Sequence, residues 1–198
     1  MRKQLFFRDK KNKDKKFYEA KVLRIIDGDT IDVEHNYDII RVRIKGIDAP
    51  ESNQPYGFEA HKFLHDLIGG KTVYISTEST GKYKREIGKV FDENHNDISE
   101  IMIAKGQAWA DFTDSRFDPN IKQLQDHAQK QKLGLWAGDK PIQPKVWREN
   151  KMTMKPKEKE ALKAQKKKYH EENNIRKDTP GFVVKAPAYI GKKRNRPR

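Results

Sequence analysis

Arg41-Val42-Arg43-Ile44-Lys45-Gly46-Ile47-Asp48-Ala49-Pro50-Glu51 decides how this chain is read. It opens as a strand: Val42, Ile44 and Ile47 can face a core, while Arg41, Arg43 and Lys45 alternate onto the other side. Gly46 permits a bulge or a close approach, and Pro50, which has no N–H, ends the ladder. Two carboxylates, Asp48 and Glu51, therefore sit at the mouth of a strand that also carries a guanidinium. Upstream, Asp27-Gly28-Asp29-Thr30 places more carboxylate at another strand junction, and downstream Arg85 offers a second guanidinium. Acids that hold a hard cation, with arginines that hold a phosphate, suggest metal-assisted cleavage of a phosphodiester.

Working outward, Ala20, Val22 and Ile25 mark a first strand, and Asp27-Gly28 signals a hairpin. Thr30 to His35 is a second strand, Asn36-Tyr37-Asp38 a turn, and Ile39 to Ile47 a third strand. Gly57 to Leu67 reads as a helix with Phe58, Phe63, Leu64 and Leu67 as its apolar stripe, ended by Gly69-Gly70. Thr72 to Ser76 and Ile87 to Phe91 are two more strands around the loop Thr77–Glu86. Ile98 to Lys105 and Asn120 to Lys132 read as helices, stopped by Gly106 and Gly134. Short strands followed mainly by helices predict an α+β domain, a small closed β-barrel with about three packed helices.

The net charge of +14 is spread unevenly. Residues 1–17 hold eight Lys/Arg against two Asp/Glu, and residues 151–198 hold sixteen against five. The middle, residues 18–150, holds nineteen against twenty-two. An acidic middle suits a cation, and basic ends suit a polyanion such as nucleic acid. A mean hydropathy of −1.05 indicates that part of the chain packs little. Residues 138–198 read as a linker and a basic, poorly ordered tail, because a helix over Lys155 to Glu172 has almost only Leu162 and Tyr169 to bury. No cysteine is present, which excludes disulfides, thiolate metal sites and cysteine nucleophiles. Leu5-Phe6-Phe7 is the longest early apolar run, short of a signal peptide or a membrane span, so a cytoplasmic protein is expected, with export by an uncleaved route left open.

Ile26-Asp27-Gly28-Asp29-Thr30, Arg43 to Glu51, Lys82-Tyr83-Lys84-Arg85, Tyr56-Gly57-Phe58-Glu59-Ala60 and Leu133-Gly134-Leu135-Trp136 together resemble the thermonuclease (staphylococcal nuclease-like) family. The resemblance spans roughly residues 18–137, a usual size for one domain, after a basic arm at 1–17. Each motif alone is weak: Asp27-Gly28-Asp29-Thr30 by itself is a hairpin turn, and Asp48 before a proline is a turn acid. Their order and spacing carry the match.

The resemblance implies an OB-fold five-stranded barrel and a set of roles. One Ca2+ would be held by Asp29, Asp48 and the backbone carbonyl of Ala49, where a better-known family member has Thr. Glu51 would orient or deprotonate the attacking water. Arg43, five residues before Asp48, and Arg85 would be the catalytic arginines, leaving Arg41 outside the site. A phosphodiester carries about one negative charge and its pentacoordinate transition state about two, so guanidinium forks favour the transition state. Lys82 and Tyr83 resemble the family's nucleotide contacts. Gly81 and Lys84 depart from the usual Asp and Gly, which bears on where Arg85 is placed. The implied activity is calcium-dependent hydrolysis of single-stranded DNA and RNA by a monomer, leaving 3′-phosphate ends, with the basic arms on nucleic-acid phosphates. The alternative is a catalytically inactive module of the same fold that only binds nucleic acid. His61 and His65 share helical spacing, yet Lys62 stands where a zinc protease needs Glu.

Overall fold

The structure, a computed structural model, describes residues 16–80, 85–113, 119–138, 140–150 and 153–172. In chain order the elements are β1 (Lys16–Ile25), β2 (Thr30–His35), β3 (Asp38–Ile44), β4 (Ile47–Asp48), α1 (Gly57–Ile68), β5 (Thr72–Thr80) and β6 (Glu86–Phe91). Then follow α2 (Ile98–Ala104), β7 (Trp109–Ala110), α3 (Pro119–Lys130), a 3-10 turn at Gly134–Ala137, α4 (Pro144–Glu149) and α5 (Pro156–Glu172).

Alternation dictates the barrel. Val22, Ile31, Val33, Val42, Ile44 and Ile75 all point inward and are almost fully buried. Burying such side chains contributes about 1.5–3 kcal/mol each. The strands close in the order β1-β2-β3-β6-β5, with β1 paired back to β5. Neighbours run antiparallel except β3 and β6, which are parallel. Register shifts between Val22 and Arg24 in β1, and between Thr77 and Ser79 in β5, supply the curvature that closure requires. The expected five-stranded barrel with packed helices is what the chain forms.

Two differences from the sequence reading matter for the site. The strand expected over Ile39 to Ile47 breaks after Ile44, because Gly46 takes φ +87°, a conformation that costs glycine little. Ile47–Asp48 then leaves the barrel and pairs with Trp109–Ala110, and the Asp111 N–H donates to the Gly46 carbonyl at 2.9 Å. That excursion carries Asp48 out of the barrel ladder. It also fixes Trp109 in the core, where it meets Trp136 edge-on at 5.5 Å.

The segment after Gly138 holds two helices. Few apolar residues are available, yet Tyr169 is buried against α1, edge-on to Phe58 at 5.6 Å, with its hydroxyl 2.9 Å from His65 Nδ1. Lys62 lies over the Tyr169 ring and Lys166 over Phe58, which adds cation–π attraction. One inserted aromatic with satisfied polar contacts therefore docks a helix that its scarcity of apolar residues argued against. Of the basic arm expected at 1–17, Lys16 and Phe17 begin β1, and residues 1–15, like the end at 173–198, lie outside the described residues. Among the described residues no helix is long and apolar enough to cross a membrane.

Candidate active site

Asp29 and Arg43 meet because of strand register. Thr30 pairs with Arg43 across β2 and β3, and the Ile44 N–H donates to the Asp29 carbonyl at 2.8 Å. Val42 and Ile44 point into the core, so Arg43 points out, over the turn that precedes β2. Its Nη1 donates to Asp29 Oδ1 at 2.5 Å and its Nη2 to Asp48 Oδ1 at 3.0 Å. One guanidinium thus bridges the two acids assigned to the cation. Arg41, two residues away on the same face, is tied instead to Asp32 through Nε and Nη2 at 2.7 and 3.0 Å. The choice of Arg43 over Arg41 is consistent with that division.

The turns around these acids are packed tightly. A Cβ on Gly28 would lie 2.6 Å from Ala49 Cβ and 3.0 Å from Ala60 Cβ, so only glycine lets the Asp29 turn rest against Ala49 and α1. The Ala49 N–H donates to Asp29 Oδ2 at 2.9 Å and the Thr30 hydroxyl to Oδ1 at 2.9 Å. Glu51 sits in a folded turn: Gln54 N–H donates to the Glu51 carbonyl at 2.8 Å and Glu51 N–H to Gln54 Oε1 at 3.1 Å. A Cβ on Gly57 would fall 1.9 Å from that same Glu51 carbonyl, so α1 starts hard against the turn.

Burial pushes the Asp29 carboxyl up to about 7, and the neighbouring Asp27 carboxylate adds to the rise. The Arg43 guanidinium, the Ala49 N–H and the Thr30 hydroxyl oppose it. Burial works against the charge on Arg43 too, yet Asp29 and Asp48 outweigh it and hold Arg43 more firmly protonated than a free arginine. On the barrel side one guanidinium thus serves two acids, Asp29 and Asp48. Asp29, Asp48 and the Ala49 carbonyl are all oxygen donors, the set a hard cation prefers, and the residues fit such an ion. Among the described residues no three acidic or imidazole side chains converge as a ligand group, so an ion here would keep several waters.

Arg85 stands directly before β6, whose Glu86 and Ile87 pair with Val42 and Arg43. Its Nε is buried with no hydrogen-bond partner among the described residues. Buried donors are rarely left without a partner, and this one lies next to the Arg43 strand. A cleft of about 320 Å³ opens alongside, lined among others by Arg43, Lys45, Gly46, Ile87, Asp111 and Thr113. Lys82 and Tyr83, with Gly81 and Lys84, lie outside the described residues. His61 and His65 do not form a pair: His61 Nε2 is 3.2 Å from the Ile25 carbonyl, while His65 faces Tyr169.

Residues 41–138 match the family described as Staphylococcal nuclease homologue. An uncharacterized endonuclease of Escherichia coli O157:H7 is 35% identical over 132 residues, 67% of this chain and 86% of that protein. The chain belongs to the staphylococcal nuclease family. A micrococcal nuclease of Shigella flexneri is 35% identical over 140 residues, 66% of this nuclease and 80% of its own length. Staphylococcal-like nuclease CAN1 of Arabidopsis thaliana is 36% identical over 112 residues, 56% of this chain but 34% of that protein. The nuclease is a hydrolase of this family, with nucleic acid as its substrate class.

The sequence reading did not foresee what reaches the site from α4. Arg148 Nη1 donates to Glu51 Oε1 at 2.5 Å, and its two terminal nitrogens lie 3.3 to 3.4 Å from the Asp48 carboxylate oxygens. Burial opposes the Arg148 charge, and Glu51 and Asp48 more than restore it. The only local signal was Trp147-Arg148, an aromatic beside a cation in the last turn of a short helix that Pro144 opens.

Proposed function

We propose that this nuclease is a calcium-dependent phosphodiesterase that hydrolyses single-stranded DNA and RNA by in-line attack of water, releasing 3′-phosphate ends. The observation that carries the reading is the Arg43 guanidinium bridging Asp29 and Asp48 beside Glu51. Once a phosphodiester enters, Arg43 and Arg85 hold its non-bridging oxygens, and both forks strengthen as charge builds toward the transition state. Glu51 accepts a hydrogen bond from the attacking water and takes its proton, a step that contributes typically about 10²–10⁴-fold. A cation held by Asp29, Asp48 and the Ala49 carbonyl would supply Lewis-acid polarisation of the phosphate. The cleft beside Arg43 suits a nucleotide unit next to the scissile bond, and Lys82 and Tyr83 would contact it. The basic arms raise local substrate concentration and make binding salt-dependent.

The test is cleavage of a fluorescent single-stranded oligonucleotide with calcium, with magnesium and with chelator, followed by analysis of the product ends. Cutting only with calcium, leaving 3′-phosphates, is the expected result. Cutting that persists in chelator overturns the calcium dependence.

The folded-state pKa of Asp29, about 7, lies above its unfolded value near 3.9, so the folded chain holds this proton more tightly. Below that window the proton occupies an oxygen that calcium needs; as pH rises through about 7 the site becomes free. The calcium-induced rise in Tm should therefore grow between about pH 5 and about pH 8 and then level off. A calcium shift independent of pH across that range removes Asp29 from the ligand set.

A further inference from the structure

Glu51 is gripped by a residue that lies beyond position 138, where the family match ends. Helix α4 begins at Pro144 and buries Pro144 and Trp147. Its approach is fixed from both sides of the Glu51 turn. Trp147 Nε1 donates to Asn53 Oδ1 at 3.2 Å, and Gln54 Nε2, almost wholly buried, donates to the Ile142 carbonyl at 2.6 Å. Gln54 is the same residue whose Oε1 receives the Glu51 N–H. One buried amide thus links the backbone of Glu51 to the chain leading into α4.

That anchoring brings the Arg148 guanidinium onto two carboxylates at once, with Nη1 on Glu51 and Nη2 on Asp48. Arg43, at 22% side-chain exposure, covers Asp48 from the barrel side; Arg148, at 47%, covers it from the solvent side. An exposed ion pair usually contributes little to stability. Here both acids are the ones assigned to the cation and to the attacking water, and the helix carrying the arginine is held by buried contacts. Little further ordering is needed to place it.

We propose that Arg148 is a positioning residue of the nuclease reaction: it fixes the Glu51 carboxylate and ties it to Asp48, so that the active site extends to α4. This rests on the roles proposed above for Glu51 and Asp48. Two properties of the side chain separate in consequence. Its charge repels a cation at Asp48, so Arg148 weakens cation binding. Its fork, two N–H groups on two carboxylates, sets geometry, which a lysine cannot reproduce.

The experiment compares the full chain with R148A and R148K. Calcium affinity is measured by calorimetry without substrate, kcat and KM on the single-stranded oligonucleotide, and Tm on each protein. In R148A calcium should bind about two- to fivefold more tightly, the range that removing a weak competing pair allows. Its kcat should fall about ten- to a hundredfold, as for other groups that orient site ligands, with KM moving less and Tm close to wild type. R148K should restore the wild-type calcium affinity but not kcat. An R148A protein with wild-type kcat overturns the proposal, and so does a loss of kcat that tracks a fall in Tm. Failure of the calcium reading shows instead in the wild-type chelator arm. The turnover of R148A relative to wild type still reports on Arg148 under whichever condition supports cutting.

Discussion

An Arg43→Ala protein should lose at least about 10³-fold in kcat and should also be less stable than wild type without calcium, and the two losses should respond differently to the ion. The catalytic loss follows from removing a fork that binds the transition state more strongly than the substrate, an effect typically worth about 10²–10³-fold for a single donor and more for an arginine on a transferring phosphate. The stability loss follows from what Arg43 does in the resting protein. It bridges Asp29, which is almost wholly buried, to Asp48. Removing one partner of a buried pair costs about 3–5 kcal/mol when the other charge has nowhere to go. Asp29 has one escape, since burial already pushes its carboxyl up to about 7 and losing Arg43 pushes it higher. An acid whose folded pKa exceeds its unfolded one destabilises the fold as pH rises through that interval. The mutant should therefore be weakest above about pH 7 and recover toward about pH 5. Saturating calcium should restore Tm at high pH by replacing the missing positive charge, yet kcat should stay low. Arg43→Lys, which keeps the charge and loses the fork, should regain Tm with little of the activity. Thermal unfolding across pH, with and without calcium, beside the cleavage assay, separates the two roles. A mutant whose Tm and kcat recover together with calcium would mean that Arg43 only balances charge.

Why Arg43 and its acids were legible while Arg148 was not comes down to distance along the chain. Arg43, Asp48, Ala49 and Glu51 lie within nine consecutive residues, so the family's local spacing carries them. Asp29 joins them by hairpin register, Thr30 opposite Arg43, which alternating hydrophobicity on both strands determines. Arg148 reaches Glu51 from 97 residues away, through a six-residue helix with no periodic pattern. Nothing local says that Trp147 will find Asn53. The break of β3 at Gly46 escaped for a related reason: Ile47 continues an apolar run, and only the pairing of Ile47–Asp48 with Trp109–Ala110 shows that it serves a second sheet. For α5 the area argument was sound but applied to the wrong quantity. Apolar area is scarce there, whereas Tyr169 gains ring contacts with Phe58 and His65 and a hydroxyl partner besides.

Glu51→Gln isolates the chemistry from the architecture, since glutamine keeps the size and removes only the charge and the basicity. The backbone of position 51 should stay in place, because its N–H and carbonyl are both held by Gln54. The side chain loses an ion pair with Arg148 in which the partners are 47% and 32% exposed, so the stability change should stay within about 1 kcal/mol. If Glu51 takes the proton of the attacking water, kcat should fall by about 10²–10⁴-fold with little change in KM. The pH profile then distinguishes a base from a mere acceptor. At saturating calcium the proton on Asp29 is displaced, so any acidic limb left in the wild-type kcat profile belongs to a group that calcium does not hold. That limb should vanish in Glu51→Gln if Glu51 is the base. If kcat falls but the limb persists, Glu51 only orients the water and another group takes its proton. Wild-type turnover in the variant would leave Glu51 no part in the reaction, and Arg148 would then have only Asp48 to hold.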